Sequence, residues 1–397
     1  MNVVIEPSSL IGKVNAIPSK SYAHRISICN FLAGNEPSAK CGNFTSNDIS
    51  VTESCLRTLR AGGKVLDCGE SGSTLRFLMP LCMALGGDYT FICHGKLIDR
   101  PNDELFSAMK SHGVNATKTD VITLRGKLTS GEYILRGDVS SQYVSGLLMA
   151  LPILDGDSQI TLTTPLASAP YVDITIEVLK GYGVRIQPNE KGFFIKGNQN
   201  YVGEVMPEGD WSNAAFFLVA GAVNGKVTVN GLNLNSVQGD RFIMEILSLA
   251  GAKISATDNQ VTIEKSQLKS FSFDAENCPD LVPISAVLAS KAHGESVIKN
   301  IQRLKIKESD RVETTIKMLS AFGIKAYTDG ANLFVLGSDA QSGDIDSFND
   351  HRIAMASAVL ALGANGKSTI TNAGAVSKSY PTFFEDYNAL GGKANEI

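Results

Sequence analysis

The chain lacks the long apolar runs and the excess of basic residues that mark several large classes of protein. No apolar run reaches the ~18–20 residues that a membrane-spanning helix requires, so we expect no membrane span. Its 36 Lys and Arg residues face 40 Asp and Glu residues, giving a formal net charge of −4. This balance argues against a nucleic-acid-binding protein or one that binds acidic membranes. Any anionic ligand must therefore meet a local concentration of Lys and Arg.

The sequence also lacks paired cysteine motifs. Its seven cysteines form no CxxC motif and are not spaced with the five histidines as metal ligands. The first residues show no basic region followed by an apolar stretch, which is the pattern of a secretory signal. An odd cysteine count in a large chain without such a signal favours reduced thiols. We therefore predict a cytoplasmic protein with structural cysteines and no metal.

What the chain does contain is a repeat. An apolar helical segment followed by Gly, a variable residue and usually a basic residue recurs six times, at intervals of 51, 70, 68, 72 and 68 residues. Each occurrence resembles a helix C-terminus closed by glycine and followed by a strand. The six glycines are Gly62, Gly113, Gly183, Gly251, Gly323 and Gly391.

A second pattern alternates with the first. A polar or charged group opens an apolar helical run six times, at intervals of 52, 68, 71, 68 and 71 residues. These openings lie near Ser21, Ser73, Ser141, Ser212, Asp280 and His351. Because both patterns advance together, with the first interval short in each, we infer about six units of two helices and several short strands.

Six units in 397 residues predict an α/β protein of two globular domains, with three units in each and a cleft between them. Pro18 and Pro207 precede the first and fourth marker helices and suggest the junctions. We therefore expect one domain to contain residues 1–17 plus 208–397 and the other to contain residues 18–207. No Rossmann GxGxxG or Walker GxxxxGK[ST] motif is present.

The helix openings indicate the chemistry. Backbone N–H groups at a helix N-terminus bind phosphate or carboxylate groups, and several openings here also carry cations. Examples are PSKSYAHR, GESGSTLR and NDHR, with a further charged opening in KIKESDR. One such opening is usually structural. Several that converge on one cleft would form a site for a polyanion.

These same segments carry a resemblance to a known family. PSKSYAHR, GESGSTLR, DRP, GDVSSQ, SAPYVDIT, EGDWSNAAFFL, PDLVP, KESDR, FNDHRIAMA and SKSYPTFFE occur in the order found in 5-enolpyruvylshikimate-3-phosphate synthases, from about residue 20 to residue 385. The resemblance implies a two-domain inverted α/β barrel arrangement with three βαβαββ units per domain. It also implies transfer of the enolpyruvyl group of phosphoenolpyruvate to the 5-hydroxyl of shikimate 3-phosphate, by addition and then elimination.

The resemblance further assigns residues. It implies that Asp280 accepts the 5-hydroxyl proton, that Glu308 is the acid and base at the vinyl carbon, and that Lys20 lies at both substrates. The implied shikimate 3-phosphate contacts are Lys20, Ser21, Arg25, Ser140, Ser141, Gln142, Ser168, Tyr171, Asp280 and Lys307. The implied phosphoenolpyruvate contacts are Lys20, Gly72, Arg100, Gln142, Arg311, His351, Arg352 and Lys378.

The resemblance implies no cofactor and no metal, a monomer without nucleic-acid or membrane partners, and inhibition by glyphosate at the phosphoenolpyruvate site. Four positions depart from the family pattern. Glu70 and Arg303 stand where the family commonly has Asn, Ser73 replaces a common Thr, and Phe77 replaces a frequent Pro. Glu70 either turns outward, pairs with a cation or weakens phosphoenolpyruvate binding.

Two other functions remain open at this point. A UDP-N-acetylglucosamine enolpyruvyl transferase would need a reactive cysteine before Arg100, where Cys93 lies seven residues upstream. KESDR, SSQ and NDHR favour shikimate 3-phosphate over the nucleotide sugar. A catalytically inactive homologue that only binds ligands is disfavoured by Asp280, Glu308 and Lys20.

Overall fold

The computed structural model describes residues 1–42 and 44–397. The chain forms two compact units. The discontinuous unit comprises Met1–Ser19 and Glu208–Ile397, and the inserted unit comprises Lys20–Pro207. Both ends of the chain therefore belong to the discontinuous unit.

The described residues form α-helices, short 3₁₀ helices and strands. The α-helices are α1 (Lys20–Leu32), α2 (Asn47–Arg60), α3 (Gly72–Leu85), α4 (Asp103–Lys110), α5 (Ser141–Ala150), α6 (Pro170–Gly181), α7 (Trp211–Asn224), α8 (Ile243–Leu249), α9 (Val282–Ser290), α10 (Arg311–Ala321), α11 (His351–Ala361) and α12 (Phe383–Ala389). The 3₁₀ helices are Gly95–Leu97, Leu151–Ile153, Gly239–Phe242, Pro279–Leu281, Gln302–Ile306 and Ala373–Lys378.

The strands are β1 (Val3–Glu6), β2 (Leu10–Asn15), β3 (Val65–Asp67), β4 (Gly87–Ile92), β5 (Val114–Lys118), β6 (Val121–Gly126), β7 (Glu132–Leu135), β8 (Ser158–Leu162), β9 (Ile186–Asn189), β10 (Gly192–Ile195), β11 (Gly225–Asn230), β12 (Lys253–Thr257), β13 (Gln260–Glu264), β14 (Ser272–Asp274), β15 (Glu295–Lys299), β16 (Ala326–Thr328), β17 (Leu333–Leu336), β18 (Asp344–Asp346), β19 (Ser368–Thr371) and β20 (Lys393–Glu396).

All the sheets share one topology. In each, one edge strand is parallel to its neighbour, and the remaining pairs are antiparallel. The strand orders are β3-β4-β6-β5 and β7-β8-β10-β9 in the inserted unit, and β2-β11-β13-β12, β14-β15-β17-β16 and β18-β19-β1-β20 in the discontinuous unit. Along the chain each sheet corresponds to a βαβαββ unit, and β1 supplies the last strand of the unit that ends the chain. The predicted α/β class is confirmed.

The count of units per domain needs one correction. Among the described residues, the discontinuous unit has three complete βαβαββ units, whereas the inserted unit has two. The remaining part of the inserted unit, at residues 20–60, contributes only α1 and α2, and its described residues form no sheet strand. The first interval is short in both sequence patterns, which agrees with the lack of a third sheet among the described residues of this unit.

The six marker glycines end helices as the sequence predicts. All six have positive φ angles, between 74° and 95°. Gly183, two residues after the end of α6, illustrates the reason: a φ of 77° is costly for a residue with a side chain, and glycine adopts it freely. The helix therefore ends there and the chain turns into β9.

The first helix of each βαβαββ unit is the buried one. Every residue of α9 and of α11 is buried, and α3, α5 and α7 are buried over most of their length. Helices that are apolar on all sides belong to the interior of a domain. Among the described residues, no helix combines the length and apolar character that crossing a bilayer requires. The buried helices also bring their N-termini, and the polar groups there, into the interior of each unit.

Candidate functional site

The discontinuous unit contains a cluster of ion pairs around one buried guanidinium group. Arg311, the first residue of α10, is 1% exposed and contacts three carboxylates. Its Nη1 donates to Asp280 Oδ1 at 2.8 Å, its Nη2 donates to Glu308 Oε2 at 2.7 Å, and its Nε donates to Asp350 Oδ2 at 2.7 Å. The two carboxylates that the resemblance assigns to proton transfer are thus held by one side chain.

Asp280 is surrounded by cations. It lies in the 3₁₀ helix that leads into α9. Arg352 Nη2 donates to its Oδ2 at 2.9 Å, and Lys307 Nζ donates to its Oδ1 at 3.4 Å. Together with Arg311, Glu308 and Asp350, these residues form what we call the ionic cluster, with three cations and three carboxylates.

The electrostatics of the ionic cluster keep Asp280 ionised. Burial by itself would raise its pKa, but the charges of Arg352, Lys307 and Arg311 outweigh this effect and hold the pKa well below 3.8. Burial lowers the pKa of Lys307, and the charge of Asp280 opposes that shift. A carboxylate in this state accepts a proton readily only when a bound anion engages the same cations.

The remaining predicted residues of this unit lie at the start of α11 and beyond it. Asp350 caps α11 by accepting from Arg352 N at 3.0 Å, which fixes the backbone beside the ionic cluster. The His351 ring is buried, with Nδ1 3.9 Å from Asp350 Oδ1. Lys378 Nζ donates to the backbone oxygen of Asn349 at 2.8 Å. Both side chains therefore contact the loop that leads into α11.

A further carboxylate, Asp240, belongs to the surroundings of Asp280. It is buried, and burial followed by the charge of Asp280 raises its pKa to about 6, while Arg352 opposes the shift. The sequence analysis missed this residue, although SVQGDRF holds a polar pair before an apolar helix.

In the inserted unit the counterpart of Arg311 is Arg25, and its surroundings differ. Arg25 lies in α1 and is buried. Its partners are neutral oxygens. Nε donates to Thr175 Oγ1 at 2.6 Å, Nη1 to Ser21 O at 2.6 Å, and Nη2 to Tyr171 O at 2.8 Å and Ser145 Oγ at 3.3 Å. No carboxylate among the described residues forms an ion pair with it, and burial lowers its pKa to about 10.

A second arginine network links the helix openings of this unit. Arg76 of α3 donates to Gln142 Oε1 at 2.7 Å and to Asn102 Oδ1 at 3.1 Å. Gln142 of α5 in turn donates from Nε2 to Ser73 Oγ at 2.9 Å. Ser140 caps α5 by accepting from Gln142 N at 3.3 Å. The first turns of α3 and α5 are therefore tied together, with Ser141 at the first position of α5.

Gly72 and Arg100 lie against each other. A Cβ atom added at Gly72, the first residue of α3, would lie 2.6 Å from Arg100 Nη1 and 3.0 Å from its Cζ. Such distances are too short for unbonded atoms, so a side chain at this position would displace the guanidinium group. The missing side chain of Gly72 is what admits Arg100.

The other predicted residues of the inserted unit lie at helix openings or next to them. Lys20 begins α1 and forms a 2.9 Å ion pair with Asp48 at the start of α2. Ser168 is buried with a φ of 56° and accepts from Tyr171 N at 3.2 Å. This turn immediately precedes α6, which carries Thr175.

The positions that depart from the family pattern have distinct environments. Glu70 is exposed, and its carboxyl group lies close to the backbone of Gly95. Phe77 is buried, and its ring lies 4.9 Å from the Arg25 guanidinium carbon in a cation–π contact. Arg303 lies in the 3₁₀ helix Gln302–Ile306, and its charge helps to lower the pKa of Lys307. Phe77 thus supports a predicted ligand-binding arginine.

Cys93 shows no sign of an activated thiol. It is partly buried, and burial raises its pKa to about 11. A nucleophilic cysteine requires the opposite shift.

Several residues of these networks could not be assigned from the sequence alone. Asp350 stands beside the NDHR histidine and arginine, so its position was visible but its bond to Arg311 was not. Arg76 is the cation of the helix opening GESGSTLR, but its bonds to Gln142 and Asn102 leave no signal in the sequence. Thr175 and Ser145 carry no sequence signal, because small hydroxyl residues in apolar helices are common.

Comparison with known proteins gives consistent results. The family model of EPSP synthase (3-phosphoshikimate 1-carboxyvinyltransferase) matches residues 47–387. The chain is 40% identical to 3-phosphoshikimate 1-carboxyvinyltransferase of Clostridium kluyveri, over 99% of this chain and 98% of that protein. It is 39% identical to the Clostridium novyi protein of the same name, over 100% and 98% of the two chains.

Solved structures with a similar fold are more distant in sequence. The EPSP synthase of Acinetobacter baumannii matches with a TM-score of 0.79 at 22% identity, covering 100% of both chains. The enolpyruvyl transferase NikO of Streptomyces tendae matches with a TM-score of 0.78 at 17% identity, covering 100% of this chain and 98% of that one. These two structures establish the shared fold.

Proposed function

Because this chain belongs to the EPSP synthase (3-phosphoshikimate 1-carboxyvinyltransferase) family, we propose that it transfers the enolpyruvyl group of phosphoenolpyruvate to the 5-hydroxyl of shikimate 3-phosphate and releases phosphate. The observation that carries this proposal is the ionic cluster, in which Arg311 binds both Asp280 and Glu308. The reaction needs one group that accepts a proton and another that donates one, and these carboxylates can divide those roles.

The proton steps follow from the chemistry of the substrates. Asp280 accepts the proton of the 5-hydroxyl as its oxygen attacks C2 of phosphoenolpyruvate, while Glu308 donates a proton to the methylene carbon. In the elimination, Glu308 takes a proton back from the resulting methyl group as the C–O bond to phosphate breaks. Each carboxyl group returns to its starting state once Asp280 passes the hydroxyl proton to the departing phosphate.

The ion pairs of Asp280 suit this role. In the free protein Arg352, Lys307 and Arg311 hold its pKa well below 3.8 despite its burial, so it is ionised but is a weak base. Arg311, Arg352, His351 and Lys378 of this unit would engage the phosphate and carboxylate groups of phosphoenolpyruvate, to which the resemblance also assigns Arg100. Sharing these cations with an anion weakens their hold on Asp280 and makes it a stronger base.

The acceptor substrate is assigned mainly to neutral donors and to Arg25. Among the described residues Arg25 Nη1 donates one hydrogen bond, to Ser21 O, so its second N–H can donate to an anionic ligand. The same substrate is assigned to Lys20, Ser21, Ser140, Ser141, Gln142, Ser168, Tyr171 and Lys307. Since one chain supplies every assigned residue, catalysis by a monomer is the simplest arrangement. We also expect the enzyme in the cytoplasm.

Phosphate release tests the proposed function. The protein should release phosphate from phosphoenolpyruvate in the presence of shikimate 3-phosphate and not without it. Release that depends on UDP-N-acetylglucosamine would favour the nucleotide-sugar reaction, and loss of all release in a folded Cys93→Ser protein would point the same way. No release with either acceptor, alongside measurable ligand binding, would mark a protein that only binds.

A further inference from the structure

A buried chain of hydroxyl groups joins three helices of the inserted unit. His24 Nδ1 lies 2.7 Å from Thr52 Oγ1, Thr52 Oγ1 lies 2.6 Å from Thr74 Oγ1, and Thr74 Oγ1 donates to Ser71 Oγ at 2.8 Å. These residues belong to α1, α2, α3 and the N-cap of α3 respectively. All four side chains are at most 2% exposed. The proton-transfer steps above use none of them.

Counting protons gives the chain a direction. Each hydroxyl has a single hydrogen. Thr74 gives its hydrogen to Ser71. Thr52 therefore gives its hydrogen to Thr74 at 2.6 Å, rather than to the backbone oxygen of Asp48 at 3.2 Å, and must then accept from His24. This assigns the hydrogen of the imidazole to Nδ1. The bonds therefore run in one direction, from His24 to Ser71.

The state of His24 fits this direction. Burial, followed by the charges of Lys20 and Arg25, holds its pKa well below 6.5, so the ring is neutral. Its Nε2 is buried and has no hydrogen-bond partner among the described residues. A hydrogen on Nε2 would therefore be buried without an acceptor, which costs more than leaving a lone pair there. The neutral ring with its hydrogen on Nδ1 is the form that the surroundings favour.

The chain of hydroxyl groups ends at the first turn of α3. Ser71 Oγ accepts both from Thr74 Oγ1 and from Thr74 N, the latter at 3.3 Å, and so forms the N-cap. Gly72 follows as the first residue of the helix and lies against Arg100. A cap that is itself held by a buried hydroxyl has less freedom than one facing solvent, so the N–H groups of this turn are fixed before a ligand arrives.

We propose that His24, Thr52 and Thr74 are positioning residues for phosphoenolpyruvate, acting through Ser71 on the first turn of α3. The proposal rests on the proposed function, because it takes the Gly72 turn as part of the phosphoenolpyruvate site. The chain connects that turn to α1 and α2, which carry Lys20 and its partner Asp48. The hydroxyl chain thus links the Gly72 turn, assigned to phosphoenolpyruvate, with the helix that begins at Lys20, assigned to both substrates.

Removing one hydroxyl tests the proposal. Thr74→Val keeps the shape of the side chain and removes two bonds of the chain. It should raise KM for phosphoenolpyruvate roughly tenfold, equivalent to about 1.4 kcal/mol, and change kcat and KM for shikimate 3-phosphate less than about twofold. Thr74→Ser, which restores the hydroxyl, should return KM to within about threefold of the wild-type value. Equal KM values in Thr74→Val and wild type would overturn the proposal.

A double variant and a matched control separate positioning from stability. If the hydroxyls act as one chain, Thr52→Val combined with Thr74→Val should raise KM no more than Thr74→Val alone. Fully additive increases would contradict the proposal. Ile122→Val, a buried change in β6, lowers stability without touching the chain and should leave both KM values unchanged. If wild type releases no phosphate, the proposed function has failed; if wild type is active and Thr74→Val is indistinguishable from it, only this inference has failed.

Discussion

The two units hold their arginines in opposite ways. In the discontinuous unit, Arg311 is bound by Asp280, Glu308 and Asp350. In the inserted unit, Arg25 is bound by hydroxyl and backbone oxygens and by the face of Phe77. A guanidinium group surrounded by carboxylates has its charge balanced, whereas one surrounded by neutral acceptors keeps its charge for a ligand.

This difference suggests a division of labour. On the proposed function, the ionic cluster fixes two carboxylates for proton transfer, and Arg25, whose charge no carboxylate among the described residues balances, favours the anionic acceptor substrate. The pKa directions agree with it. Burial lowers the pKa of Arg25 to about 10, while in Arg311 the charges of Asp350, Glu308 and Asp280 outweigh burial and raise the pKa. A protein with a formal net charge of −4 can therefore bind polyanions through local arrangement.

The largest expected effect comes from removing a carboxylate of the ionic cluster in the discontinuous unit. Asp280→Asn or Glu308→Gln should lower kcat by ~10²–10⁴, since each removes a positioned acid or base. Steady-state phosphate release measures the change. Glu313→Gln is a matched control, because this exposed carboxylate lies in α10, which begins three residues after Glu308, and pairs with Lys317. Near-wild-type kcat in a folded Asp280→Asn or Glu308→Gln protein would remove that residue from the mechanism.

A smaller effect is expected from a change next to Arg100, in the inserted unit, on the affinity for anionic ligands. Gly72→Ala places a methyl group against Arg100, and overpacking of this kind costs ~1–3 kcal/mol. Glyphosate is longer than phosphoenolpyruvate, so the variant should lose more affinity for glyphosate than for the substrate. Inhibition measured at several phosphoenolpyruvate concentrations gives both affinities. Parallel losses, or wild-type inhibition that does not compete with phosphoenolpyruvate, would contradict this assignment.

The smallest expected effect is on the pH dependence of the unfolding free energy, to which His24 of the inserted unit and Asp280 of the discontinuous unit contribute in different pH ranges. The folded pKa of His24 is depressed by burial and by Lys20 and Arg25, so the unfolded chain binds more protons, and its contribution to stability falls as pH drops below about 6.5. The depressed pKa of Asp280, set by burial against Arg352, Lys307 and Arg311, leaves its contribution constant until pH nears about 3.9. Between pH 7 and pH 5 the wild type should therefore lose up to about 2 kcal/mol more unfolding free energy than His24→Gln.

Comparing each protein with itself at the two pH values isolates His24. Asp240 acts in the opposite direction, because burial and Asp280 raise its pKa to about 6, and its contribution is common to both proteins. Denaturant unfolding at pH 5 and pH 7 provides the four free energies. Identical losses in wild type and His24→Gln would show that His24 titrates alike in the folded and unfolded chains.

The sequence predicted helix openings better than it predicted contacts. The six marker glycines and the polar helix starts were readable because local backbone preference sets them. The lack of strands among the described residues of the segment 20–60 appeared in the sequence only as a short first interval. The bond between Arg311 and Asp350 joins residues 39 positions apart, and that between Arg25 and Thr175 joins residues 150 apart. Such pairs depend on how the buried helices pack, which periodicity does not encode.

The affinity of shikimate 3-phosphate for two variants tests the division of labour most directly. Calorimetric titration should show that Arg25→Gln weakens binding by at least about 100-fold, equivalent to about 2.7 kcal/mol. Asp280→Asn should bind shikimate 3-phosphate within about threefold of wild type while its kcat collapses. Unchanged unfolding curves establish that both variants are folded. If Asp280→Asn loses as much affinity as Arg25→Gln, or if Arg25→Gln binds normally, the two units do not divide binding and proton transfer in this way.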